Sequence, residues 1–172
     1  YFTITKLCRG TANINGLDLI EDTGSIHLSL GICPQDNVLW DDLTGPEHLY
    51  FYGRLKGLRG EELKSQVTYW LDQVNLLEAK NKLSSQYSGG MKRRLCVAMA
   101  LIGDPAVILL DEPTTGLDPA SKRSLWEVIN KKKKECSILL TTHSMEEAEA
   151  LCDRLGIFIA GRLSTLGSPG DL

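Results

Sequence analysis

Two stretches of this chain carry residue types suited to handling phosphates. Tyr87-Ser88-Gly89-Gly90-Met91 sets two glycines at the head of an apolar helical run, and Ala106-Val107-Ile108-Leu109-Leu110-Asp111-Glu112-Pro113 is an apolar strand ending in adjacent carboxylates. Glycines at a helix start let a ligand approach the backbone, and the free N–H groups and partial positive charge of that end suit an anion. A buried strand would deliver Asp111 and Glu112 to its carboxyl end, the edge at which open α/β sheets bind ligands. Taken singly, the first stretch could be a flexible turn and the second a strand end with solvated acids. The expected companion is a G-x-x-x-x-G-K-[ST] loop, whose lysine and amides cradle β- and γ-phosphates. No glycine in the chain is followed by lysine.

The elements that must position these groups follow from periodicity. Thr11–Ile14 and Gly31–Pro34 are short β-compatible runs, while Pro46–Lys56 and Glu61–Val74 read as helices separated by Gly57–Gly60. From Ser88 to about Ile102 the chain reads helical, with Met91, Leu95, Ala98, Met99 and Ile102 on one face, a core stripe rather than a cofactor site. Val107–Leu110, Pro119–Lys134, Ile138–Thr141 and Ser144–Cys152 then alternate strand and helix, the pattern of a mostly parallel sheet. Ala160-Gly161 between Leu155–Ile159 and Arg162–Leu166 signals an antiparallel hairpin. The expected fold is α/β, with a core from residues 1–36 and 104–172 and a helical insert at 37–103.

Composition is that of a globular domain: 172 residues, 42% hydrophobic, 24% charged. A net charge of −3 disfavours nonspecific attraction to nucleic acid or an anionic membrane surface. The five cysteines (Cys8, Cys33, Cys96, Cys136, Cys152) form no C-x-x-C and read as reduced thiols. No apolar run approaches the length that spans a bilayer. The start, Tyr1-Phe-Thr-Ile-Thr5, lacks an initiator Met and a signal-peptide pattern, so the expectation is a piece of a longer protein that begins just after a phosphate loop.

In order along the chain, Cys33-Pro34-Gln35, Tyr87–Met91, Val107–Pro113, Gly116-Leu117-Asp118 and Thr141-Thr142-His143 resemble the Q-loop, signature, Walker B, D-loop and switch-histidine motifs of the nucleotide-binding domain of ATP-binding cassette (ABC) transporters. The resemblance covers nearly the whole chain. Gly31–Trp40, Glu47–Gly57, Tyr87–Arg94 and Thr142–Glu149 look most like the A subfamily, whose members are largely lipid exporters, and the wording resembles the plant-type ones. Met91 and Tyr87 depart from the commoner glutamine and leucine of the signature.

The resemblance implies ATP and Mg²⁺ as ligands and a P-loop NTPase-like core. It assigns Asp111 to Mg²⁺, Glu112 to the attacking water as general base, Gln35 to Mg²⁺ or that water, and His143 to the γ-phosphate. These roles match what phosphoryl transfer to water requires: charge neutralisation, an oriented water and donors for the γ-phosphate. Ser88, Gly89 and Gly90 would face the ATP of a second cassette, and Asp118 would both cap a helix and meet that second domain. The further implied partners are transmembrane domains at a membrane's cytosolic face, with lipid as their substrate. His27 and His48 lack such context and read as structural.

Two basic runs invite a nucleic-acid reading. Lys131–Lys134 ends a predicted helix, where cations complement the dipole, and no aromatic residues interleave with it, so nucleic acid is not an expected partner. Lys92-Arg93-Arg94 reads equally well as a solvated helix face. Two rivals stay open: a degenerate cassette that regulates without hydrolysing, and a soluble cassette ATPase.

Overall fold

The computed structural model describes residues 10–171. The sequence expectations that touch Tyr1–Thr5 and Cys8 fall outside them. Two hairpins, β1 (Asn13–Ile14) with β2 (Leu17–Asp18) and β6 (Leu155–Ile159) with β7 (Arg162–Gly167), flank a three-stranded sheet. That sheet is parallel, in the order β3 (Leu30–Cys33), β4 (Val107–Asp111), β5 (Ser137–Thr141). A parallel pair needs a long crossover. Between β4 and β5 it is α5 (Pro119–Lys132), which starts with proline in its first turn and Asp118 as N-cap. After β5 comes α6 (Met145–Leu151), capped by Ser144, and before β3 a short helix, α1 (Thr23–Ser29).

The crossover from β3 to β4 is longer and carries α2 (Gly45–Leu55), α3 (Gly60–Gln73) and α4 (Gly89–Leu101). Thr44 opens α2 with a full capping box: its hydroxyl accepts from the Glu47 amide, and the Glu47 carboxylate accepts from the Thr44 amide. His48 lies wholly buried below that turn, Nδ1 donating to Thr44 O at 2.7 Å and Nε2 accepting from the Trp40 amide at 3.0 Å. Two donors cannot face these two partners at once, so the ring is neutral, and burial holds its pKa below the usual value.

The most central element is α4. The one-sided stripe expected for it is wrong in extent: every residue from Leu95 to Leu101 is buried, because the helix runs between the sheet and α2 and α3. An all-round apolar helix is the signature of that placement. The approach to β3 is so close that a Cβ on Gly31 would meet Ala100 O at 2.0 Å, and only glycine fits there.

The hairpin expected at Ala160-Gly161 is present, with both residues at positive φ (48° and 74°), as a type I′ turn requires. Asn15 and Gly16 (φ 52° and 83°) close β1–β2 in the same way. This Asn-Gly signal stood in the sequence unread. Cys33, Cys96, Cys136 and Cys152 are free thiols, and burial pushes Cys33 up to about 12 and Cys96 to about 11.

Candidate functional site

The carboxyl ends of the parallel strands collect the acidic pair and its neighbours. Asp111 closes β4 directly opposite Thr141, which closes β5, and the Thr141 hydroxyl donates to the Asp111 carboxylate. The next residue, Glu112, sits at φ 48°, a left-handed conformation that non-glycine residues adopt at a cost of about 1–3 kcal/mol. It is held there by two bonds from its amide, to Thr141 O at 3.1 Å and Thr141 Oγ1 at 3.2 Å. The kink turns the Glu112 side chain back toward the β5 end. There Oε1 lies 3.4 Å from His143 Nδ1, and Oε2 accepts from Thr115 Oγ1 at 2.9 Å. His143 is largely exposed and Glu112 half-buried, so both can reach a group arriving from solvent.

Gln35 follows β3, the strand beside β4, and its side chain is exposed at the same sheet edge. Thus Gln35, Asp111, Glu112 and His143 gather at one edge. Asp118 and Ser88 stand apart from them. Asp118 accepts from the amides of Ala120 and Ser121, both at 3.0 Å, and the Ser121 hydroxyl first, then these amides, hold its carboxyl below the ordinary range. Ser88 accepts from the Met91 amide at 3.2 Å as N-cap of α4.

Gly89 and Gly90 begin α4. Neither has positive φ, and a Cβ on Gly89 would meet nothing within 4 Å. The fold itself does not demand glycine at 89. A Cβ on Gly90 would lie 3.3 Å from Leu117 Cδ2, so the α4 start sits alongside the loop that carries Asp118.

The basic triplet after the signature is not a solvated face. Arg93 is only 2% exposed, and its guanidinium donates to five backbone carbonyls: Pro34, Gln35 (3.1 Å), Asp111, Glu112 (2.9 Å) and Pro113 (3.1 Å). Lys92 reaches Asp41 at 3.6 Å, and Arg94 donates to Val74 O at 3.1 Å. Helical spacing shows the reason: Arg93 lies among Gly90, Val97 and Leu101 on the inward side of an all-round buried helix. Sequence reasoning also passed over Glu147. Its buried carboxylate accepts from Thr114 Oγ1 at 2.8 Å and Trp126 Nε1 at 3.2 Å, joining α6 to the loop after β4. Nothing in local composition separates such an acid from its exposed neighbours Glu146 and Glu149.

The fold is a parallel α/β sheet with an acidic edge and a glycine-led helix start, and comparison with known proteins gives the family. A family profile described as ABC transporter matches residues 3–115. ABC transporter A family members 4 and 6 of Arabidopsis thaliana are 54% and 53% identical over 98% of this chain. The chain spans 18% of the length of these relatives. A solved structure titled as the ATP binding subunit of an ABC transporter superposes with a TM-score of 0.85 at 31% identity, covering 95% of this chain and 69% of that one. A second, a dimeric ATP-binding cassette in a post-hydrolysis state bound to ADP and Pi, shares the fold: TM-score 0.83, 23% identity, 94% of this chain and 74% of that one. The chain belongs to the ABC transporter family. Within it, the relatives place the chain as ATP-binding domain sequence of an A-family member.

Proposed function

We propose that this chain is part of an ATP-hydrolysing cassette that drives lipid movement by the membrane domains of an A-type transporter. The observation that carries the reading is the kinked acidic pair at the end of β4, with Glu112 Oε1 3.4 Å from His143 Nδ1 and Asp111 bonded to Thr141. A water in front of Glu112 gives its proton to that carboxylate as its oxygen bonds to the γ-phosphorus of ATP, the bond from that phosphorus to the β,γ-bridging oxygen breaks, and ADP leaves with phosphate as the other product; His143 donates to a γ-phosphate oxygen. Gln35 orients the water with its amide oxygen and links the sheet edge to the helices of residues 37–103, which act as the insert between a core of 1–36 and 104–172.

The donor set fits Mg²⁺. Asp111 and Gln35 are hard oxygen donors, and among the described residues no three His, Cys, Asp or Glu side chains cluster as a closed metal site. An ion that keeps several waters and takes its other ligands from phosphates needs only one or two side chains. When bound, Mg²⁺ neutralises phosphate charge; Asp111 and Gln35 would hold it.

Ser88, Gly89 and Gly90 bind the ATP carried by a second cassette: Ser88 and Gly89 are exposed, the Ser88 hydroxyl caps α4, and the two glycines put no side chain in the way of a ligand. Asp118 meets that second domain beside them. Among the described residues no helix is long and apolar enough to cross a membrane. In this reading the cassette sits at the cytosolic face, attached through the transporter's membrane domains. The 172-residue chain, which contains no Gly-Lys pair, hydrolyses no ATP by itself.

The test is Glu112→Gln in the full-length transporter. The amide is nearly isosteric but far less basic, so ATP binding should persist while hydrolysis falls by at least about 10²-fold. Turnover within a few-fold of the parent removes Glu112 from the reaction. A parent that binds Mg-ATP without turnover would make the cassette a regulatory module.

A further inference from the structure

Arg93 is a buried cation with no carboxylate within ion-pair distance among the described residues. Burying such a charge is costly unless hydrogen bonds satisfy it. Here five carbonyls do so, and they come from two separate places: Pro34 and Gln35 after β3, and Asp111, Glu112 and Pro113 after β4. Charge-assisted bonds from a planar, always-protonated guanidinium fix direction as well as distance. The side chain starts from α4, five residues after Ser88 and thus about 7.5 Å along the helix.

We propose that Arg93 is a positioning residue for ATP hydrolysis: it fixes the backbone of the Gln35 and Asp111–Glu112 loops to the signature helix, so that a shift of the Ser88–Gly90 end moves both loops together. The proposal rests on the functional reading above for what the loops do, but the mechanical claim stands on the bonds alone. Arg93 touches no reacting atom. It acts through the carbonyls of Gln35, Asp111 and Glu112, and thereby on where their side chains point, including the left-handed kink at Glu112.

The obvious variant, Arg93→Met, takes the guanidinium from five carbonyls, of which Glu112 O keeps the Thr115 amide at 3.2 Å, and is the one at risk of misfolding. Arg93→Lys is the decisive partner, because an ammonium keeps the charge but has three donors from one point and cannot span both loops. In the full-length transporter without nucleotide, hydrogen exchange of Arg93→Lys should speed up in peptides spanning 34–40 and 111–117 together, with α2, α3 and α5 unchanged. With Mg-ATP, kcat should fall about tenfold while KM changes less than about threefold, since small misplacement of reacting groups is costly. The proposal is overturned if both loops keep parental exchange and kcat stays within twofold. It is equally overturned if exchange rises across all helices, which would make Arg93 a general folding residue. Should the parent hydrolyse no ATP, the functional reading fails, and the exchange comparison still decides the role of Arg93.

Discussion

The β4 end and the α4 start are both candidates for the same phosphate chemistry, and they are built in opposite ways. At β4 the side chains are engaged with one another: Asp111 with Thr141, Glu112 with Thr115 and beside His143, on a backbone turned through φ 48°. At α4 the backbone is unstrained, the Ser88 hydroxyl is used as a cap, and a Cβ on Gly89 would meet nothing within 4 Å. One region presents side-chain acids beside a histidine, the other a helix start whose two glycines carry no side chain. The contrast fits the proposal that they serve different nucleotides, the first acting on the cassette's own ATP and the second on its partner's.

Asp111→Asn strikes the first region hardest after Glu112→Gln. It removes charge where Mg²⁺ would be held, so the Mg²⁺ concentration for half-maximal hydrolysis should rise at least about tenfold. Unchanged metal dependence would separate Asp111 from the ion. A smaller effect is expected from Thr141→Val, which removes the hydroxyl bonded to Asp111 and one of two acceptors for the Glu112 amide. Hydrolysis should fall about three- to tenfold through kcat, and a change confined to KM would contradict a positioning role.

Outside the site, Gly31→Ala probes the support beneath both regions. Ala100 O must move, and stability of the complete nucleotide-binding domain should drop by about 1–3 kcal/mol in urea unfolding. Loss below about 0.5 kcal/mol would show that α4 can retreat from the sheet. The smallest effect concerns pH. His48 has a folded pKa below its unfolded 6.5, so the unfolded state binds more protons as pH falls through that value. The contribution is fully present above pH 6.5 and is lost as pH falls toward the folded pKa. The urea midpoint should therefore decline between pH 7.5 and 5.5, with a shallower decline in His48→Gln. Equal slopes would contradict the neutral buried ring.

Most elements were legible because their signals are local. Pro46 and Pro119 mark helix starts, Val107–Leu110 is an uninterrupted apolar run, and Ala160-Gly161 is a turn of a fixed type. The strand-to-helix alternation gave the parallel sheet. The depth of α4 was not legible, because Cys96, Val97, Ala98 and Ala100 fit a half-buried helix as well as a buried one. Arg93 was misread for the same reason: a basic triplet looks solvated until the carbonyls of Pro34 and Asp111, 59 and 18 residues away, are folded around it. Likewise Asp111 and Glu112 announced themselves as residue types, but the tie from Thr141, 30 residues on, required the register of β4 with β5.

The division of labour between the two regions is tested most directly by Ser88→Arg in a transporter whose two ATP sites can be told apart. A long cation at the α4 start would occupy the space of an opposing γ-phosphate without touching Asp111, Glu112 or His143. ATP binding by the mutated cassette should persist, and hydrolysis should be lost at the site whose ATP is held by the other cassette. If the loss falls on the ATP of the mutated cassette itself, or turnover is unchanged, Ser88-Gly89-Gly90 is a turn and the two regions do not serve different nucleotides.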